Sequence, residues 1–432
     1  MKSPTFFPLG LALVLLGVAS RSPAANWPAW RGPLGTGITE EKNLPVKWSA
    51  TENVKWRVPL PEPGNSTPIV WGDRLFLTQS IGAQRTLLCL NRADGRTLWH
   101  QDVTTKPGAG PTHQTNPYCA SSPVTDGERV IVWHGSDGLH CYTLTGEKLW
   151  SRDLGVQRHI WGYGASPIIS GDGCFLNFGP GERNFLVAVD KRTGRTLWQH
   201  DEDIGYGEIS PSPEPKSTKA AANATYVGSW TTPVIKQIDG RDQLLLSWPR
   251  RLAAYDPATG AELWTCAGLN PLAYTSPIYE GETVVAMGGF NGSTIAVRAG
   301  GRGDITASRR LWQHPRTKQR VGSGVIRDGY IFVHNDPGVA ECFELATGKL
   351  VWEERLTSAG QTRQNWSSVL LSGDLCYTIT QGGDGFIFKA SPKFELVAVN
   401  PLGEPSNSSI VPSNGELFIR TAAALWCIAA RR

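Results

Sequence analysis

CLNRADGRTLW at residues 89–99, CYTLTGEKLW at 141–150, AVDKRTGRTLW at 188–198, AAYDPATGAELW at 253–264 and CFELATGKLVW at 342–352 are five copies of one pattern. Each is an apolar stretch, a Gly-containing turn and a short segment ending in Trp, recurring at roughly 40 to 65 residues. A strand, a tight turn and a second strand repeated at such a period predict a propeller.

A second landmark precedes each turn: Ser66-Thr67-Pro68, Ser121-Ser122-Pro123, Ala165-Ser166-Pro167, Thr231-Thr232-Pro233 and Thr275-Ser276-Pro277, with weaker copies at Ser323, Ser367-Ser368 and Ser408-Ser409. Taking Thr67, Ser122, Ser166, Thr232, Ser276, Ser323, Ser368 and Ser409 as anchors gives eight units spaced 41 to 66 residues apart. Each unit reads as four short strands, so the expected fold is all-β, a single eight-bladed β-propeller. The eighth unit stops at Ile428, before any fourth strand, whereas Asn53 to Val58, around Trp56, reads as a Leu-Trp-type strand with no blade before it. Pairing the two closes the ring and leaves no open edge. On the outer strands, Trp99, Trp150, Trp198, Trp264, Trp312 and Trp352 are expected to pack between neighbouring sheets, burying about 150–250 Å² each. The seventh unit, with Phe394, Leu396 and Val397, lacks this Trp.

The repeat runs from 53 to 430, so one ring is expected in place of several domains, with residues 25–52 as a strap packed on it. The strap contains Trp27, Trp30 and Arg31; two exposed Trp would be unusual without a ligand, and Arg31 stacking on an indole is the modest alternative. Residues 1–24 have the layout of a secretory signal: Met1-Lys2, an apolar run from Phe6 to Val18, then small residues. Cleavage is expected after Ala24, with Ser20 as a second candidate, giving a periplasmic or secreted protein. The apolar run is too short for a membrane span. A formal charge of +4 without a basic run argues against nucleic acid. The closed ring is expected to be monomeric. Of eight Cys, Cys89, Cys141, Cys342 and Cys427 share one repeat position with Ala188, Ala253 and Ala296 and read as small core residues. Pairing among Cys119, Cys174, Cys266 and Cys376 stays open, and no metal-ligand spacing occurs. Residues 201–228 form a polar, Pro-rich insertion read as a surface loop, with partner docking as the sharper alternative.

The unit A-x-D-x-x-T-G-x-x-x-W, as in Ala188 to Trp198 and Ala254 to Trp264, resembles the repeat of pyrroloquinoline quinone (PQQ) propellers. Such rings occur in PQQ-dependent alcohol dehydrogenases and in the propeller lipoprotein of the outer-membrane barrel-assembly machinery. The stretches Asn26 to Pro33, Arg320-Val321-Gly322-Ser323-Gly324 and Pro392 to Leu396 further resemble a family of exported PQQ-binding-like bacterial propellers. The resemblance carries no assigned activity.

In a propeller the loops entering the innermost strands converge on one mouth of the central channel. Here they carry His113, Asn116 and Tyr118 before Ser122, Arg158, His159, Trp161 and Tyr163 before Ser166, Trp230 before Thr232, and Tyr274 before Ser276. Asn335 and Asp336 follow Ser323, and Asn365 and Trp366 precede Ser368. Gathered together, aromatics, two His, two Arg and amides suit a planar or sugar-like ligand. The same residue types also serve inter-blade contacts and buried backbone groups. The resemblance implies a further test: a PQQ dehydrogenase needs a carboxylate base, Ca²⁺ held by oxygen ligands and typically a vicinal Cys pair. No adjacent Cys occur; Asn335-Asp336 and Asp384 are the best acidic candidates, and Asn335-Asp336-Pro337-Gly338 also reads as a tight turn. The expectation is therefore a non-enzymatic scaffold or binding protein of the cell envelope, taking a small ligand or an envelope protein at the mouth, with no cofactor. The alternatives are a PQQ- and Ca²⁺-dependent oxidoreductase, or an enzyme acting on a carbohydrate through His113 and His159.

Overall fold

The computed structural model describes residues 25–107, 112–204, 227–290 and 292–430. The expected leader, and residues 205–226 of the polar insertion, lie outside them. Eight antiparallel sheets follow one another along the chain as the blades of a propeller. The first runs Ile69–Trp71, Arg74–Ile81, Gln84–Asn91 and Thr97–Thr104 from the channel outward. The eighth contributes Val411–Ser413, Glu416–Arg420 and Ala424–Ala429, and its fourth strand is Val54–Pro59, antiparallel to Ala424–Ala429 with Trp56 opposite Cys427. Both ends of the repeat region thus build one sheet, as the early stop at Ile428 predicts. No helix among the described residues is long and apolar enough to cross a membrane.

The anchors form a second closure, at the channel. The backbone N–H of Thr67 donates to Ser122 Oγ (2.9 Å), Ser122 to Ser166 (3.0 Å), Ser166 to Thr232 (2.9 Å) and Thr232 to Ser276 (3.0 Å). Ser276 donates to Ser323 (3.0 Å), Ser323 to Ser368 (2.9 Å), Ser368 to Ser409 (3.0 Å), and Ser409 back to Thr67 Oγ1 (3.1 Å). A short hydroxyl is required at each anchor because its oxygen must reach one blade over. At 7 % exposure or less, every anchor is cut off from water that could replace it.

The outer strands are joined by the Trp residues. The indole N–H groups of Trp56, Trp99, Trp150, Trp198, Trp312 and Trp352 donate across to a turn carbonyl of the next blade, those of Arg92, Leu144, Lys191, Pro257, Leu345 and Ser391. The repeated Gly of that turn is there for the ring. At Gly194, φ is +71°, and a Cβ would lie 2.7 Å from the Trp150 indole, so both backbone freedom and a missing side chain are needed. Facing each Trp in its own blade is a small residue: Cys89, Cys141, Ala188, Ala254, Ala296, Cys342 or Cys427, next to a β-bulge. In the fourth blade this is Ala254; the sequence expectation of Ala253 is off by one residue.

Two departures have structural causes. Trp264 donates to Gln243 within its own blade (2.8 Å), because the fifth blade has a longer turn whose Gly303–Asp304 pairs in parallel along Trp264 and Thr265. The seventh blade lacks a Trp because the eighth has no turn to receive it: there the chain ends replace the loop between third and fourth strands. Small Ala398 stands in the Trp position, and large Ile387 faces it.

The strap crosses the far end of the channel. Trp27 bridges to Val70 in the first blade, and the Pro28 carbonyl accepts from Thr125 in the second. Arg31 donates to the carbonyls of Ser323 and Gly324 in the sixth (3.3 and 2.6 Å), and Ile38–Thr39 adds a parallel strand to the inner edge of the seventh. Trp27 is buried, contrary to the picture of two exposed Trp, because it pairs with an innermost strand. The Arg31 guanidinium lies 5.8 Å from the Trp30 ring centroid. All eight Cys are buried free thiols, Cys119, Cys174, Cys266 and Cys376 included. Burial pushes Cys89, Cys141 and Cys342 up to about 12, which keeps them as protonated thiols at neutral pH.

Ser276→Ala orphans the buried Thr232 N–H and is expected to cost about 1–3 kcal/mol. Urea unfolding should show a lower midpoint at unchanged slope; an unchanged midpoint would show that this link of the ring is dispensable.

Candidate binding cup at the channel mouth

With the strap across one end, the channel is a blind cup of about 530 Å³, within the range of small-molecule sites. Its inner layer follows a simple rule. The residue two before each anchor lines it: amides at Asn65 and Asn407, aromatics at Trp230, Tyr274 and Trp366, and small side chains at Ala120, Gly164 and Val321. In extended chain, residues two apart share a face, so whatever precedes an inward hydroxyl by two also points inward. The aromatics fall on blades four, five and seven, and the amides on eight and one. Trp30 of the strap lines the same cup.

Loop residues form the outer layer. His113 and Trp161 pack with ring centroids 4.2 Å apart and planes tilted by 40°, and Trp230 stands nearly perpendicular to Tyr274 at 5.1 Å. The Trp230 indole donates to the Gly162 carbonyl (3.0 Å), which fixes its plane. Asn116 donates to the carbonyls of Trp161 (2.7 Å) and Tyr163 (2.9 Å), tying the loops of two blades together. Asp336 sits in the turn closed by Gly338 N–H on Asn335, accepts from the Trp366 indole (2.7 Å), and is approached by the Gln364 amide (3.4 Å). Burial raises its pKa despite these donors. Both readings of Asn335-Asp336-Pro337-Gly338 are therefore realised in one residue: it is a turn, and its carboxylate faces the cup.

Of the candidates named from sequence, His113, Asn116, Trp161, Trp230, Tyr274, Asp336 and Trp366 line this cavity. Six do not. Tyr163 is buried and donates to the Tyr118 carbonyl, while the Tyr118 ring lies under the Arg85 guanidinium at 4.0 Å. Asn335 is held by Arg320 (2.8 Å) and Glu341 (2.5 Å) in a buried polar network, and Asn365 donates to the carbonyls of His334 and Ser367. Arg158 is exposed and is not among the lining residues. His159 is buried, edge-on to Trp230 at 5.0 Å, beside a separate chamber of about 10 Å³. The two expected Arg, Arg158 and Arg363 of the segment before Ser368, are thus both off the cup: no Lys or Arg is among the described lining residues. Asp384 accepts from Ser358 and lies off the cup. Sequence reading passed over Asn65, Asn407, Gln319, Gln381 and Phe290 as ligand groups, while Trp30, flagged in the strap, does line the cup; the two-before-the-anchor rule would have found the first two.

The donor set does not fit PQQ with Ca²⁺. PQQ carries three carboxylates, and the described lining offers one more carboxylate, Asp336, and no cation. Among the described residues no group of three or more His, Cys, Asp or Glu is arranged to hold a metal ion.

An eight-bladed propeller with an aromatic and amide cup is thus the class of protein that the fold and site define. Within that class, the family described as outer membrane protein assembly factor BamB matches residues 37–117, 83–354 and 183–431, and the chain belongs to it. Among solved structures, BamB from Moraxella catarrhalis is similar at 14% identity and TM-score 0.59, covering 86% of this chain and 95% of that one. A europium-containing methanol dehydrogenase is similar at 10% identity and TM-score 0.65, over 94% and 91% of the two chains. Quinohemoprotein alcohol dehydrogenase from Comamonas testosteroni is similar at 11% identity and TM-score 0.66, over 94% and 81%. At these identities the likeness is one of fold. Curated protein sequences give no significant match.

Burial lowers the His159 pKa to about 4 and that of His334 to about 3, against an ordinary value of 6.5. Both are neutral when folded, so the unfolded chain binds more protons below pH 6.5 and stability falls from there toward pH 4. Thermal unfolding between pH 7 and 4 should show this loss, shallower in His159→Asn, whose amide oxygen can replace Nδ1 as acceptor for the Trp161 N–H. An identical slope would mean that His159 is protonated in the fold.

Proposed function

We propose that this chain is an exported propeller of the cell envelope that binds and does not catalyse, holding its ligand or partner in the cup at the channel mouth. The observation that carries the reading is the blind cup itself: a rigid ring, sealed by its own strap, that presents aromatic faces and amides at one open end. The secretory layout of residues 1–24 supports export to the periplasm or beyond. Membership of a family described by an outer-membrane assembly factor supports a place in an envelope assembly. Against catalysis stands the chemistry of the lining. Hydrolysis of a glycoside commonly needs two carboxylates across the bond, and Asp336 is the one carboxylate among the described lining residues. His113 packs against Trp161 at a tilt of 40° and its Nδ1 is bonded to Thr115 Oγ1 (2.7 Å), but among the described residues no carboxylate is bonded to the ring as the orienting third group of a triad. Oxidation through PQQ meets the mismatch of donors described above.

The test is a plug. Val321 lines the cup as one of its small inner-layer residues, so Val321→Trp should fill it while leaving the melting temperature within about 2 °C. Native mass spectrometry of protein isolated from envelope extracts should show a bound species on the wild type and at least a tenfold lower fraction on the variant. Equal occupancy, or substrate turnover by the wild type, would overturn the proposal.

A further inference from the structure

The cup has a side chamber. A cavity of about 250 Å³ shares Asn65, Thr115, Gln381 and Asn407 with it and extends between Pro63-Gly64 of the first blade and Pro405-Ser406 of the eighth. Of the inner-layer aromatics, Trp230 and Tyr274 stand across the channel on blades four and five, and Trp366 stands on blade seven, next to the eighth. A ligand filling both spaces meets ring faces at one end and amides at the other.

We propose that the ligand is a neutral oligosaccharide, one ring stacked among the cup aromatics and the following rings running over the shared amides into the side chamber. This rests on the reading of the cup as the binding site. Charge decides against anions: the described lining has no Lys or Arg, and an anionic ligand would meet the Asp336 carboxylate. An organic cation fits the aromatics but leaves the carboxamides idle. Asn65, Asn116, Gln319, Gln364, Gln381 and Asn407 all line the cup; Gln319, Gln364, Gln381 and Asn407 retain both donor and acceptor capacity, whereas Asn65 and Asn116 have both N–H groups committed. Vicinal hydroxyls match that pairing, whereas a methylated ammonium group has nothing to exchange with it.

The state of these amides points the same way. Asn407 donates to the Thr115 carbonyl (3.2 Å), while its Oδ1 is buried without a hydrogen-bond partner, at the junction of the two cavities. An unmet buried acceptor is costly, and a small rotation of the Asn407 amide toward the cavity wall would let a ligand hydroxyl donate to it. The side chains of Gln319 and Gln381 make no hydrogen bond among the described residues. Asn65, by contrast, is already oriented by Thr115 (2.9 Å) and Asn116 (3.1 Å), so it presents its remaining oxygen in a fixed direction.

The experiment uses the full mature chain on an array of neutral glycans, followed by tryptophan-fluorescence titration with the di-, tri- and tetrasaccharide of the best series. An equal-length oligogalacturonate, choline and PQQ serve as charged probes. The expected result is saturable binding of a neutral series that tightens at least tenfold from disaccharide to tetrasaccharide. Gln381→Ala should weaken the tetrasaccharide about tenfold and the disaccharide little, with an unchanged melting temperature. Trp366→Phe, which keeps an aromatic face, should weaken both by less than Trp366→Ala does. Retention of no neutral glycan, or tighter binding of a charged probe, would overturn the saccharide assignment. If a charged probe or an envelope protein then binds in a manner blocked by Val321→Trp, the cup remains the binding site; if nothing is blocked by the plug, that reading falls as well.

Discussion

The structure depends on a ring of eight hydrogen bonds in which each blade's anchor N–H is accepted by the hydroxyl of the next. A propeller has no central core to pack against; its innermost strands would face an open channel with their first amides unpaired. Here each hydroxyl lies about 3 Å from its neighbour's N–H, so the satisfied state exists only when every sheet stands at the right angle to the next. The bond is short and buried, and the cost of leaving any member unmet falls on the whole circle.

The outer edge is held by a second circle of a different kind, in which indoles reach from one blade to a turn of the next. This one is incomplete where the chain makes it so. The eighth blade is assembled from both termini and offers no turn, and the seventh accordingly has no Trp to offer it. Conformational closure by Val54–Pro59 compensates at that seam. The strap adds a third constraint: Arg31, buried and without a carboxylate partner among the described residues, is held by carbonyls of its own turn and of the sixth blade. Burial lowers its pKa to about 9, so at neutral pH the charge remains and the strap stays tied across the channel floor.

From that scaffold the cup follows almost mechanically. Once the anchors face inward, the residues two before them do so too, and their identities set one aromatic flank and one amide flank. The outer layer obeys no such rule, since its loops differ in length from blade to blade. Asp336 reaches the cup through the turn between the second and third strands of its blade, Tyr330–Asn335 and Val339–Glu344, whereas Trp161 reaches it from a loop preceding an anchor. Arg158 and His159, adjacent to Trp161 in sequence, diverge because a tight turn closes there: the Gly162 N–H is accepted by the His159 carbonyl.

Blade number, closure of the ring by the strand at Trp56 and the docking role of the Trp residues were legible in the sequence, because each depends on local patterning repeated at a fixed period. Periodicity also explains the missing Trp of the seventh blade once the closure is known. Which polar residues face solvent, which satisfy the interior and which line the cup was decided only by tertiary structure. Asn335 and Asn365 read like ligand groups but are consumed by Arg320, Glu341 and neighbouring carbonyls. Asn407 and Gln381 read like loop filler but stand in the cavity wall. The reason is physical: a strand's repeat is determined by hydrogen bonds between near neighbours, whereas the fate of a polar side chain depends on partners that the chain brings to it from tens to hundreds of residues away.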